Sequence, residues 1–332
     1  MKYYKAVNLV PYTYFRVDGG NPPMYVVETA EDLRNIPPNS FVLGGGSNVL
    51  FVGKSPHPVV RLGLEPYIRV VKNTPNHTLV AVSASVVWDN FVKWALSKEL
   101  YGIENLSFIP GTVGASVVQN IGAFGVEVKD VVYLVRAYDR KTQKFVEFTN
   151  QDCKFAYRMS VFKRNKARFV VWEVVYKLSK EFVPVLTYKD LQPLEKDKSL
   201  TAAKLRKIIG SLRSQKLPNP QEEPNAGSFF VNPVVSKQVV ESIKKEFPNV
   251  PHFEVEGGYK VPAGWLIDKA GLKGRVYGKA KVSEKNALVL VNLGDPTGYD
   301  VYELSRLVQA TVLKRFGVEL RPEVVIIKSE SK

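Results

Sequence analysis

The sequence predicts an α+β protein, with strands and helices gathered in blocks instead of alternating one for one. Three observations lead to this class. The first third reads as apolar, β-branched runs broken by glycine loops. The middle holds two more such runs, "VVYLVRAYD" and "KFVEFT", which read as a hairpin about Arg140-Lys141-Thr142. The composition then shifts near residues 200–215, where helical spacing and a proline-rich stretch take over.

Each element can be justified in order. "SFVLGGGSNVLF" is an apolar strand, a Gly44-Gly45-Gly46 turn and a second apolar run. "TLVAVSASVVW" is β-rich. Trp88 to Leu100 has apolar residues at helical spacing, with Asp89 near its start. "YRMSVFK", Tyr157 to Lys163, alternates as a strand or strand end would, and "RFVVWEVVYKL" continues the strands. "SLTAAKLRKIIGSLRSQK" is a helix opened by Ser199 as its N-cap, and it runs into "LPNPQEEPNAG". "TGYDVYELSRLVQATVLKRFG" is a late helix ended by Gly317, and "VELRPEVVII" is a closing strand.

Bulk properties narrow the class of function. The chain has 332 residues, enough for two or three domains with proper cores. It contains no stretch near the ~20 apolar residues of a membrane span. Its start, "MKYYKAVNLVPYTYFRV", lacks the apolar core of a signal peptide. The single cysteine, Cys153, excludes an internal disulfide and fits a reducing cytoplasm. A formal net charge of +15 favours polyanionic or phosphate-bearing partners. The positives are scattered, however, with no zinc-finger or RNP-like string, so neither nucleic acid nor a membrane is expected as a partner. His57, His77 and His252 lie outside every motif, which argues against a Ser-His triad. No H-E-x-x-H or paired C-x-x-C supports a metal site.

The chemistry-bearing motifs are rich in small residues. In "LGGGSNVLF" consecutive glycines let backbone N–H groups converge on an anion, and Ser47 and Asn48 add side-chain donors. "IPGTVGASVVQNIGAFGVE", Ile109 to Glu127, brings glycines together with Thr112, Ser116, Gln119 and Asn120. Two such loops suit the two ends of one long phosphorylated cofactor. Arg158 is a candidate bidentate partner for a carboxylate. Glu323 follows Pro322 at the mouth of an apolar strand. In "NAGSFFVNP", Asn225 to Pro233, Ser228 sits on a turn hemmed by Gly227, Phe229 and Phe230.

Taken in order along nearly the whole chain, these motifs resemble the UDP-N-acetylenolpyruvoylglucosamine reductases. "LGGGSNVLF", "IPGTVGASVVQNIGAFGVE", "FAYRMSVFK", "NAGSFFVNP", "AGWLIDKAGLKG" and "LRPEV" carry the resemblance. "VPVLTYKDL" looks like the tyrosine-bearing loop of the longer type of that family. The resemblance implies a vanillyl-alcohol-oxidase-like FAD-binding fold of two subdomains, residues 1–65 and 66–205. A substrate-binding domain over 206–318 and a C-terminal strand over 319–332, returning to the FAD-binding part, complete it. It also implies FAD held by Gly44, Gly45, Gly46, Ser47 and Asn48, and by Pro110, Gly111, Thr112, Gly114, Ser116, Asn120, Gly122 and Gly125. NADPH is the implied reductant, the UDP-sugar the implied substrate, and a monomer the implied state.

In that family the residue matching Ser228 donates a proton, while those matching Arg158 and Glu323 stabilise charge on the substrate carboxylate. Tyr157, Tyr188, Arg213, Lys216 and Asn232 correspond to substrate- and nucleotide-binding positions. This sequence departs from the family pattern at Val117, Met159, Val231 and Arg321, where proline, aspartate, a charged residue and glutamate are usual. Two other readings compete: another FAD-dependent oxidase or dehydrogenase of the same fold, and a non-catalytic nucleotide-sugar-binding protein.

Overall fold

The valine-rich runs of the first half pair into one antiparallel five-stranded sheet. Its order is Lys144–Thr149, Val132–Asp139, Phe169–Ser179, His77–Ser83, Ile68–Asn73. The expected hairpin is present, with Asp139 opposite Lys144. One face of this sheet packs against two helices, α1 (Trp88–Ser97) and α2 (Val113–Gln119). Val80, Val82, Val174 and Tyr176 meet Trp88, Phe91, Val113 and Val117 there, all essentially inaccessible to solvent. The Trp88 Nε1–H donates to Leu106 O at 2.8 Å, so the buried indole is satisfied.

A second sheet, in the order Lys2–Tyr4, Met24–Val27, Val59–Leu62, Phe41–Leu43, is parallel among its last three strands. It shares a smaller core of Val27, Leu33, Val60, Tyr138 and Val170 with the first sheet. Two more helices follow along the chain, the short α3 (Val161–Arg164) and the longer α4 (Ala202–Lys216).

The computed structural model describes residues 1–165 and 167–329. The chain divides into two units, each drawn from separate stretches of sequence. The first comprises Met1–Val7, Pro23–Gly45 and His57–Arg213; the second comprises Asn8–Pro22, Gly46–Pro56 and the chain from Ser214 onward. The second unit holds a sheet in the order Asn225–Ser228, Val289–Asn292, Ala280–Val282, Val276–Tyr277. It also holds a three-stranded sheet, Val234–Val235, Gly258–Lys260, Phe253–Val255, and the helices α5 (Lys237–Lys244), α6 (Ala263–Lys269) and α7 (Tyr299–Phe316). The closing strand, Val325–Lys328, pairs in parallel with Val49–Val52, the run that follows the triple glycine. Gly317 ends α7 in the left-handed region, at φ 67°, as its position in the sequence predicts.

Three expectations need correction. "YRMSVFK" is not a strand: it forms a tight turn and then α3, where Ser160 Oγ caps the helix by accepting from Lys163 N at 3.3 Å. The N-cap of α4 is Thr201, whose Oγ1 accepts from Lys204 N at 3.2 Å, whereas Ser199 is bonded to Asp197. The stretch from Ile109 to Glu127 is not all loop, since its centre is α2. Thr112 Oγ1 opens that helix by accepting from Ala115 N. No helix among the described residues is long and apolar enough to cross a membrane.

Candidate active site

In the first unit the two glycine-bearing stretches run backbone against backbone. A Cβ added to Gly45 would lie 2.9 Å from Gly111 Cα, closer than real Cβ atoms come to backbone. At Gly44 it would lie 3.2 Å from Ala115 Cβ and 3.3 Å from Thr112 Oγ1. Only side-chain-free residues allow this approach. Pro110 is exposed beside the crossing, and Gly122 and Gly125 belong to a small hairpin, Gly122–Ala123 with Val126–Glu127. Backbone amides uncovered by any Cβ suit the pyrophosphate of a dinucleotide, so these residues fit FAD.

Three of the expected cofactor residues face inward instead. Gly114 packs on Ala84. Ser116 is buried and donates to Val113 O at 2.7 Å. Asn120, wholly buried at φ 46°, uses its side chain as an internal hub. Its Nδ2 donates to Ala156 O at 2.9 Å and to Glu127 Oε2 at 3.3 Å, and its Oδ1 accepts from Lys129 N at 3.2 Å. Ser116 and Asn120 therefore shape the segment rather than present a side chain at its surface.

That hub shapes the Arg158 turn. Ala156 and Met159 exchange backbone bonds of 3.0 Å in both directions, and Arg158 sits at φ 54°. Its guanidinium donates to Gly122 O at 2.6 Å and, more weakly, to Asn120 O at 3.4 Å. The exposed Tyr157 ring lies beneath it, 5.4 Å from the guanidinium carbon. Lys163, which carries no role in the motifs above, donates from Nζ to Arg158 O at 3.1 Å and to Gln119 Oε1 at 2.7 Å. The signal was present in the sequence as the lysine five residues after the arginine.

Tyr188 is exposed and stands edge-on to Phe124, with ring centroids 5.2 Å apart. Asn105, also unremarked in the sequence, clasps both stretches: its buried amide donates to Phe124 O at 2.8 Å and to Val185 O at 2.9 Å. Leu186 and Leu191 pack with Leu205 and Ile209 of α4 in a small core of their own. Arg206 fixes α4 by a bidentate pair with Asp89, both bonds 2.8 Å. Arg213 lies one further stretch along the same helix. Burial lowers its guanidinium pKa, and the Asp89 carboxylate partly offsets this.

In the second unit Ser228 and Glu323 are joined through the backbone. Ser228 ends the strand Asn225–Ser228, opposite Val289, with a register shift after Asn225. Gly227 supplies the positive φ of 69° at that bulge. Phe229 and Phe230 are buried. Phe229 O accepts from Glu323 N at 2.8 Å, and Val231 N donates to Arg321 O at 3.0 Å. Asn48 Nδ2 donates to Glu323 O at 3.2 Å, and Asn48 O accepts from Val325 N at 3.0 Å. Asn48 thus ties the segment after the triple glycine to the Glu323 segment. Gly46 is buried, and Ser47 is half-buried beside it.

Asn232 Oδ1 accepts from Ala263 N, at the start of α6, at 2.9 Å. Lys216 is exposed at the end of α4, and its carbonyl accepts from Asn286. Among the departures, Val231 N donates to Arg321 O, a backbone bond that does not use their side chains. Val117 is a core residue of α2, and Met159 closes the Arg158 turn. Among the described residues no group of three or more His, Cys, Asp or Glu is placed to hold a metal ion.

The α+β sheets and the bare glycine crossing define an FAD-binding flavoprotein, and a family model described as "FAD binding domain" matches residues 34–147. A second model, "UDP-N-acetylenolpyruvoylglucosamine reductase, C-terminal domain", matches residues 219–327. A reductase of that name from Bacteroides fragilis is 43% identical over 291 residues, 86% of each chain. One from Neisseria meningitidis serogroup B is 40% identical over 329 residues, 95% of each chain. The crystal structure of the Thermus caldophilus reductase matches with a TM-score of 0.71 at 25% identity, covering 98% of this chain and 99% of that one. The chain belongs to the UDP-N-acetylenolpyruvoylglucosamine reductase family.

Proposed function

We propose that this chain reduces the enolpyruvyl group of UDP-N-acetylenolpyruvoylglucosamine to give UDP-N-acetylmuramate, a step in making peptidoglycan precursors. The cofactor is FAD and the reductant NADPH. Bound FAD supplies a two-electron carrier between the nicotinamide and the substrate. Gly44, Gly45, Gly46, Ser47, Asn48, Pro110, Gly111, Thr112, Gly122 and Gly125 are the residues that would hold it. The net change adds a hydride at C3 and a proton at C2 of the substrate while NADPH becomes NADP⁺.

The remaining work belongs to the chain's own side chains. As C3 is reduced, negative charge moves into the substrate carboxylate, and fixed donors must already stand where it develops. Arg158 takes that role, together with Glu323 where its carboxyl shares a proton with the substrate. Ser228 Oγ–H gives its proton to C2, an enolate carbon basic enough to accept from a hydroxyl. Tyr188, Arg213, Lys216 and Asn232 hold the UDP diphosphate and uridine, and Tyr157 supports the flavin or nicotinamide. The enzyme works as a cytoplasmic monomer.

The observation that carries this reading is the backbone pairing of the Ser228 segment with the Glu323 segment. It keeps a hydroxyl and a carboxyl on adjoining, backbone-bonded segments. The test is a spectrum followed by turnover. The purified protein should be yellow, with FAD released intact by heat denaturation. NADPH oxidation should then depend on added UDP-N-acetylenolpyruvoylglucosamine. A folded protein that takes up no FAD, or one that oxidises NADPH at the same rate without the UDP-sugar, would overturn the proposal.

A further inference from the structure

We propose that Lys163 is a positioning residue for Arg158, acting from beneath the turn. The inference rests on the reading of Arg158 as the group that meets the substrate carboxylate. Arg158 occupies the left-handed region, at φ 54°, which a non-glycine residue enters at a cost and keeps only when its surroundings hold it there. The reciprocal Ala156–Met159 bonds close the turn but leave its crest, the Arg158 carbonyl, outside that pair. Lys163 Nζ takes up the crest, donating to Arg158 O at 3.1 Å and to Gln119 Oε1 at 2.7 Å.

Gln119 is the last residue of α2, and the next residue, Asn120, offers the carbonyl to which the Arg158 guanidinium donates. The lysine therefore ties the arginine's backbone to the same helix end that holds its side chain. Its own position is fixed in turn. Lys163 lies in α3, and the N-cap of that helix, Ser160, donates to Val118 O at 2.7 Å, again on α2. Turn, lysine and helix end form one closed bracket. An ammonium with two oxygen partners is a charge-assisted anchor, stronger than a neutral hydrogen bond.

If the bracket sets where the guanidinium stands, loosening it should harm only the step that uses Arg158. Displacing a catalytic group by about 1 Å costs up to roughly a hundredfold in rate. In the FAD-loaded enzyme, Lys163→Met should slow reoxidation of the flavin by UDP-N-acetylenolpyruvoylglucosamine by about tenfold or more. Reduction by NADPH should stay within about twofold, a selectivity that general loosening of the fold would not give. Calorimetric titration of the oxidised enzyme with the UDP-sugar should show weaker binding. Lys163→Arg, which keeps the charge and donors, should recover part of the loss.

In an Arg158→Ala background, Lys163→Met should add less than about twofold, because the residue it positions is gone. Two failures are then distinguishable. Near-normal substrate reduction by Arg158→Ala sinks the reading of Arg158 and the inference with it. A crippled Arg158→Ala beside an unaffected Lys163→Met, or losses that multiply in the double variant, sinks the inference alone. Should Lys163→Met not fold, Gln119→Leu removes the lysine's other anchor. It must show the same selectivity and the same dependence on Arg158, or the inference falls.

Discussion

The Arg158 turn and the Ser228 bulge hold their functional groups by different means. Around Arg158 a turn closed by the Ala156–Met159 backbone bonds is braced by side chains: the buried Asn120 amide, the Lys163 ammonium and the arginine's own bonds to two carbonyls. Around Ser228 backbone pairing does most of the holding, to Val289 on one side and, through Phe229, to Glu323 on the other, with Asn225 Oδ1 accepting from Gly227 N at 2.8 Å as a side-chain brace. A long, flexible guanidinium needs a socket to stand in one place, whereas a one-carbon hydroxyl goes wherever its backbone goes. The difference predicts which substitutions each region tolerates.

The glycines repeat the contrast. A Cβ on Gly122 would sit 2.8 Å from Arg158 Nη1, 3.0 Å from Glu127 Cγ and 3.1 Å from Val126 O. That glycine makes room for a side chain. Gly227 would meet no described atom within 4 Å, so it serves its positive φ alone.

The largest expected effect on stability is therefore at the hub. Asn120→Ala removes three part-buried hydrogen bonds, each worth about 0.5–1.5 kcal/mol net, at a residue whose φ of 46° alanine also disfavours. Chemical denaturation should show a loss of roughly 2–4 kcal/mol, and a loss below about 1 kcal/mol would mean the side-chain network does not hold the turn. Gly122→Ala should come next. Overpacking against backbone and guanidinium costs about 1–3 kcal/mol, and the displaced arginine should also slow substrate reduction. A variant stable and active as the parent would remove Gly122 from the socket. Gly227→Ala should be the mildest, about 1 kcal/mol for a left-handed alanine, with FAD retained. A much larger loss would show that the bulge depends on space as well as backbone angle.

What was legible from sequence follows the same division. The hairpin and the long strands announce themselves through local alternation, and α7 through its spacing and its closing Gly317. The Ser228 segment, held by backbone, could be read as a rigid turn from Gly227 and the paired phenylalanines. The Arg158 turn could not. Its residues alternate like a strand, and only bonds to Val118, Gln119, Asn120 and Gly122, some forty residues earlier in the chain, override that pattern. For the same reason the bracing role of the Asn120 side chain, bonded to Ala156, Glu127 and Lys129, is not legible from its motif. The helix α2 was hidden because "VGASVVQ" is built of small and β-branched residues of modest helix propensity, stabilised by a cap and a core contact instead. Ser199 and Thr201 are both capping types, and Ser199 is engaged by Asp197 while Thr201 caps the helix.

We propose Ser228 as a proton donor on a scaffold that does not need its hydroxyl. Stopped-flow of Ser228→Ala, with FAD bound, tests it most directly. Flavin bleaching by NADPH should run at close to the parent rate, since that half-reaction needs no proton at C2. Reoxidation by UDP-N-acetylenolpyruvoylglucosamine should slow by several orders of magnitude, with Ser228→Cys recovering part of the loss. Equal slowing of both half-reactions would make the serine a structural part of the bulge, and slowing of neither would assign the proton to another acid.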